Sequence, residues 1–144
     1  MSDVKEAALK LVLSKRRTRK EVIEKLTNKG YSTEEASSVA DYYTQIGYID
    51  HHEYAMRYAH DAALIKGYGP YRIKRELQLR GVEIEFIENA LSSLSFDLYD
   101  RMRQRFGEGI KNEKEIMRIY QHYLRKGFAA ELIKEALRAL YSYE

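Results

Sequence analysis

Three glycines in equivalent surroundings constrain this chain more than any other feature: Gly30, Gly81 and Gly127 each separate two stretches of helical periodicity. Around them the chain reads Lys29-Gly30-Tyr31, Arg80-Gly81-Val82 and Lys126-Gly127-Phe128. A basic residue in a last helical turn faces the negative end of the helix dipole. The glycine suits the left-handed position just past a helix, and the apolar residue packs back on that helix. Four residues before the glycines stand Leu26, Leu77 and Tyr123, and eight before them Val22, Ile73 and Ile119, an apolar stripe on each preceding helix. Six, ten and thirteen residues beyond them stand Ala36, Ala40 and Tyr43, then Ile87, Leu91 and Leu94, then Ile133, Leu137 and Leu140. That is helical spacing again.

The glycines lie 51 and 46 residues apart, which leaves room in each unit for a leading helix. Candidates are 3–17 with Ala8, Leu11 and Val12, 50–65 with Tyr54, Ala55, Tyr58 and Ala62, and 95–106 with Leu98, Met102 and Phe106. Asp50 with Glu53, and Ser32 with Glu35, have the form of capping boxes, and Ile49 is placed as a staple. The single proline, Pro70, and eight scattered glycines leave long stretches of good helix formers. The expected architecture is an all-α fold of three tandem three-helix repeats, 1–46, 47–94 and 95–144. Such units cannot bury both faces alone, so they are expected to stack into an elongated, curved array.

With 44% hydrophobic residues the chain can bury a core, and without cysteine it has neither a disulfide framework nor a thiolate metal site. Met1-Ser2-Asp3-Val4-Lys5-Glu6 mixes charges from the start, and no apolar run is long enough for a signal peptide or a membrane span. The expectation is a cytoplasmic protein with no membrane partner, and elongated repeats with polar ends are most simply monomeric. Thirteen tyrosines without tryptophan fit core and groove lining better than stacking platforms for bases.

A net charge of +3 says less than its distribution. Residues 15–29 carry seven Lys or Arg against two Glu, 66–80 five against one, and 101–126 eight against three. Segments 33–41 and 83–97 hold three and four acids and no base. The middle helices are therefore basic and the first two third helices acidic. This argues against a helix-turn-helix that reads DNA, because the helix entering the groove would bring Glu34 and Glu35, or Glu83, Glu85 and Glu88, towards phosphates. In the middle repeat Ile73 and Leu77 point inward, while Arg72, Arg75 and Leu79 share another face at spacing i, i+3, i+7. A leucine outward among arginines suits a protein partner; an ordinary solvated face explains the charges equally well.

Catalytic patterns are absent from the sequence. Asp50-His51-His52-Glu53 with His60 resembles a metal cluster in composition only, since adjacent helical residues diverge by about 100° and cannot easily share an ion. Lys66-Gly67-Tyr68-Gly69-Pro70 lacks the Gly-Lys-Ser/Thr ending that holds nucleotide phosphates and magnesium, and fits a turn with proline at the first helical position. Neither a metal nor a cofactor nor an enzymatic activity is expected.

The segment Lys66-Gly67-Tyr68-Gly69-Pro70-Tyr71-Arg72-Ile73-Lys74-Arg75-Glu76-Leu77-Gln78-Leu79-Arg80-Gly81-Val82 resembles the signature segment of the RecX family. Gly47-Tyr48-Ile49-Asp50 with Tyr54-Ala55, and the stretch from Arg19 to Gly30, are similar to other parts of it, and the resemblance weakens after about residue 95. It implies a helical modulator of recombination that binds the RecA filament on single-stranded DNA and suppresses ATP hydrolysis and strand exchange. Signature positions carried over are the turn Gly67, Gly69 and Pro70, the core residues Ile73 and Leu77, and Arg72 and Arg80; Tyr68 and Gly81 complete the turns. The candidate surface for RecA, with single- or double-stranded DNA as an open second partner, comprises Lys66, Arg72, Lys74, Arg75, Leu79 and Arg80. Arg16, Arg17, Arg118 and Arg125 join it from the other repeats. The chain departs from the family at His60-Asp61-Ala62-Ala63-Leu64-Ile65, nearly apolar where many relatives are arginine-rich, which argues against a DNA contact through that helix end. The competing function is a helical module that binds nucleic acid and has no protein target.

Overall fold

The computed structural model describes residues 3–143; Met1 and Ser2, on which the N-terminal charge pattern begins, and Glu144 lie outside the described residues. In chain order the elements are α1 (Asp3–Ser14), α2 (Arg19–Asn28), α3 (Thr33–Gln45), α4 (His51–Leu64), α5 (Pro70–Leu79), α6 (Ile84–Ser92), α7 (Leu98–Phe106), β1 (Gly109–Lys111), α8 (Glu113–Lys126), α9 (Ala130–Leu140) and β2 (Tyr141–Tyr143). Nine helices among the described residues make the protein mostly all-α. Each of the three repeat glycines has positive φ, +105° at Gly30, +86° at Gly81 and +101° at Gly127, the conformation that ends the helix before it.

The chain divides into two compact units. The first runs to Tyr58 and includes Glu76–Ala90; the second comprises Ala59–Arg75 and everything from Leu91. In the first unit α1, α2 and α3 enclose a core of Val4, Ala8, Leu11, Val22, Leu26, Ala36, Val39, Ala40, Tyr43 and Ile49. Ser32 and Glu35 form the expected capping box, and Thr18 and Glu21 form another at α2. Asp50 accepts from the Glu53 amide, but the Glu53 carboxylate turns to Arg16 and Arg57 instead of back to the cap. Thr18 is fully buried, and its hydroxyl accepts from Glu21 N at 3.1 Å and donates to the Arg80 carbonyl at 2.6 Å. His51 caps the start of α2: Arg19 N donates to its Nε2 at 2.9 Å, while Nδ1 meets the Glu83 carboxylate at 2.9 Å. Both ring nitrogens are thereby used, with Nδ1 as the protonated one.

The second unit is built on Leu98, Met102, Ile116, Ile119, Tyr123, Phe128, Ile133, Ala136, Leu137, Leu140 and Tyr141. It also holds a feature that the helical periodicity does not predict, a parallel pairing of β1 and β2 with Gly109 opposite Tyr141 and Lys111 opposite Tyr143. Strands this short carry too few residues for an alternating pattern to register. The Tyr141 hydroxyl donates to the Gly107 carbonyl at 2.8 Å and ties the end of α9 to the turn before β1.

Candidate functional site

The segment singled out by its turn residues, Lys66 to Pro70, docks on the turn after α8, and both belong to the second unit. Gly67 takes φ +71°, which lets the chain leave α4, and Pro70 opens α5 where its missing N–H costs nothing. The next free amide, Tyr71 N, donates to the Gly127 carbonyl at 3.0 Å, and Gly69 N donates to Lys126 O at 2.7 Å. The N-terminal end of α5 is thus capped by the backbone of a different turn. This approach leaves no room for side chains. A Cβ on Gly69 would lie 2.6 Å from Gly127 O, and one on Gly127 would lie 2.4 Å from Arg72 Cβ.

Tyr68 sits at the centre of the docked turns. The Arg72 guanidinium lies 3.8 Å from the centre of its ring, and Lys126 and Lys66 place their ammonium groups at 5.4 and 5.7 Å. The negative face of the ring attracts all three cations. Arg72 Nη1 also donates to Arg125 O at 3.2 Å, and Lys126 Nζ to Lys66 O at 2.9 Å. Arg72 and Lys126 therefore fasten one turn to the other. Beside them Tyr71, Arg75, Leu124 and Arg125 line an open groove of about 490 Å³ with Arg72 and Gly127. Tyr71 is 63% exposed, Leu124 37%, and Arg75 and Arg125 are exposed as well. Apolar area interleaved with accessible guanidinium groups is the composition of protein-binding surfaces.

The other residues expected at a site fall elsewhere. Lys74 is half-buried on α5, and Arg118 is exposed on α8 at a shallow hollow shared with Met117 and Gln121. In the first unit Leu79 is 65% exposed. Arg80 turns inward, donating from Nη1 to the Tyr54 hydroxyl at 2.9 Å and lying over the Tyr58 ring at 4.3 Å. Burial opposes its charge, yet the Tyr54 hydrogen bond and the neighbouring Tyr58 and Glu21 raise its pKa above the ordinary value. Tyr58 in turn donates to Glu76. Arg17 donates to the Leu11 carbonyl at 3.2 Å, Arg16 pairs with Glu53 at 3.4 Å, and Gly81 packs against Lys20. The structure thus brings together Lys66, Gly67, Tyr68, Gly69, Pro70, Arg72, Arg75 and Arg125, and adds Tyr71, Leu124 and Lys126. Of these, Tyr71 lies in the segment and Lys126 beside the repeat glycine that the sequence singles out, whereas nothing in the sequence marks Leu124 or pairs the two turns.

Family models described as the first and second three-helix domains of RecX match residues 5–42 and 50–91. The chain is 32% identical to a Regulatory protein RecX of Bacillus licheniformis, covering 94% of this chain and 56% of that protein. It is 30% identical to that of Halorhodospira halophila, covering 94% and 87%. Its fold is similar to the crystal structure of RecX from Lactobacillus salivarius, with a TM-score of 0.75, 24% identity and coverage of 95% and 94% of the two chains. A second regulatory protein RecX structure matches with the same TM-score at 19% identity, covering 70% of that chain. No helix among the described residues is long and apolar enough to cross a membrane.

Proposed function

Because the chain belongs to the RecX family of regulatory proteins, we propose that it is a non-enzymatic regulator of recombination and DNA repair that binds the RecA filament and inhibits its ATP hydrolysis and strand exchange. In this reading it is a cytoplasmic monomer of three repeats, 1–46, 47–94 and 95–144, with DNA phosphate as a secondary contact. What supports a protein target is the groove in the second unit, where Tyr71 and Leu124 stand exposed between Arg75 and Arg125. Aromatic and arginine side chains are the types enriched at protein interfaces, and this composition favours a protein target.

The intramolecular contacts decide which cations to test. Arg72 and Arg80 are engaged on Tyr68 and Tyr54, so reversing their charge would disturb the fold along with any contact. Arg75 and Arg125 stand free of the core, and the variant of choice is Arg75→Glu with Arg125→Glu. RecA ATP hydrolysis on single-stranded DNA is followed while the chain is titrated at two salt concentrations, with a DNA-only binding assay alongside. Inhibition at concentrations well below those that bind DNA, lost in the double variant at unchanged helicity, is the expected result. Inhibition only at saturating DNA occupancy, falling steeply with salt, would instead mark a nucleic-acid module. Unaltered inhibition by the double variant would remove this groove as the contact.

A further inference from the structure

The apolar end of α4, which from sequence argued against a DNA contact, lines a second cleft of the same unit, about 610 Å³ in volume. Leu64 and Ile65 form its apolar lining and are 61% and 79% exposed. Its cations come from three places in the chain: Lys66 beyond α4, Arg101 and Arg105 one helical turn apart on α7, and Lys126 at the end of α8. Gln104, His122 and Tyr123 supply the remaining polar side chains, and no carboxylate lines the cleft among the described residues. A volume within the roughly 300–1,000 Å³ of small-ligand clefts, apolar at the end of α4 and carrying four cations elsewhere, suits an anion that carries a flat apolar part.

Two further observations bear on the charge of this cleft. Arg101 Nη1 is buried and, among the described residues, finds no hydrogen-bond partner, an unusual condition for a charged donor. His122 faces cations without a compensating acid. Arg105 and Phe106 of α7 stand against it, and its own helix adds Tyr123, Arg125 and Lys126. Burial first, and then Arg105, Lys126 and Arg125, hold the imidazole below its ordinary range.

We propose that this cleft binds a nucleoside phosphate, with the phosphate held by Lys66, Arg101, Arg105 and Lys126 and the base laid on Leu64 and Ile65. The ligand is a free nucleotide, which is a different ligand from the DNA strand already named as a contact. The site does not depend on RecA binding and is tested without RecA, so the two readings fail independently.

The experiment is NMR on the whole chain, following the His122 ring protons with ATP, inorganic tripolyphosphate and a short oligo(dT) strand as probes. ATP is expected to shift these signals saturably and to raise the pH at which the ring titrates, because a bound anion offsets Arg105 and Lys126. Arg105→Glu is expected to weaken binding roughly tenfold or more, and Lys66→Gln, at an exposed position, to weaken it less. Ile65→Ser is expected to weaken ATP while leaving tripolyphosphate unchanged. Saturation by ATP supports the site, and saturation by oligo(dT) without a response to ATP would overturn it as a nucleotide site. His122 signals unmoved by all three probes at millimolar concentration, or a response that Arg105→Glu and Lys66→Gln leave intact, would overturn the site. Equal responses to ATP and tripolyphosphate that Ile65→Ser does not alter would overturn the base contact.

Discussion

Three glycines of the second unit separate two reasons for requiring glycine. Gly67 has φ +71° and nothing within 4 Å of an added Cβ, so alanine there meets only the backbone penalty of the left-handed region, about 1–2 kcal/mol. Gly69 has no positive φ, but its Cβ would lie 2.6 Å from Gly127 O and 2.8 Å from Phe128 Cγ. Crowding of this kind costs about 1–3 kcal/mol, of which about 0.4–1 is recovered because alanine restricts the unfolded chain. Gly127 combines both, with φ +101° and a Cβ 2.4 Å from Arg72 Cβ and 2.5 Å from Arg72 N. The expected order of destabilisation is therefore Gly127→Ala, about 2–5 kcal/mol, above either single-cause variant. With a urea m-value of about 2 kcal/mol/M, a loss of about 3 kcal/mol lowers the midpoint by about 1.5 M. Circular dichroism in urea measures this, with a constant slope as the check that stability alone has changed. Gly69→Ala and Gly127→Ala push the same two turns apart, so the double variant should lose less than the sum, by on the order of 1 kcal/mol. A midpoint for Gly127→Ala no lower than that for Gly67→Ala would show that the turns do not approach as closely as 2.7 Å and 3.0 Å hydrogen bonds require.

Thr18→Val removes a buried hydroxyl that both caps α2 and donates to Arg80 O, so a loss of about 2–4 kcal/mol is expected, with most of it restored by serine; urea midpoints of the two variants decide. His122 makes the acid side of the stability curve informative. Its folded pKa is depressed, by burial and then by Arg105, Lys126 and Arg125, so the unfolded chain takes up its proton first as pH falls. Stability is full above the ordinary histidine value of about 6.5 and declines as pH drops through the depressed folded value. Thermal melts of His122→Gln should flatten that decline, and an unchanged profile would remove His122 as its source.

How far the chain could be read in advance depended on the distance over which each residue's constraint acts. The repeat glycines were legible because a positive φ after a helix is a local demand, and Lys29, Arg80 and Lys126 announce it within one residue. The inward stripes of Ile73 with Leu77 and Ile119 with Tyr123 were legible for the same reason, being set by helical geometry alone. Gly69 was visible as a turn residue, but its real constraint comes from Gly127, a partner no periodicity connects to it. The cations show the limit most clearly. On a helical wheel Arg72 and Arg75 are equivalent charges, and nothing within α5 distinguishes them. The structure distinguishes them through aromatic partners, since Tyr68 holds Arg72 and leaves Arg75 outside. Arg80 is likewise drawn in by Tyr54 and Tyr58. Counting positive charge along a segment therefore overstates the surface a partner can use, because a half-buried tyrosine face such as Tyr58 or Tyr68 can retain a guanidinium. Three tyrosines do this here: Tyr68 holds Arg72, Tyr54 and Tyr58 hold Arg80, and of these four arginines Arg75 and Arg125 stay exposed.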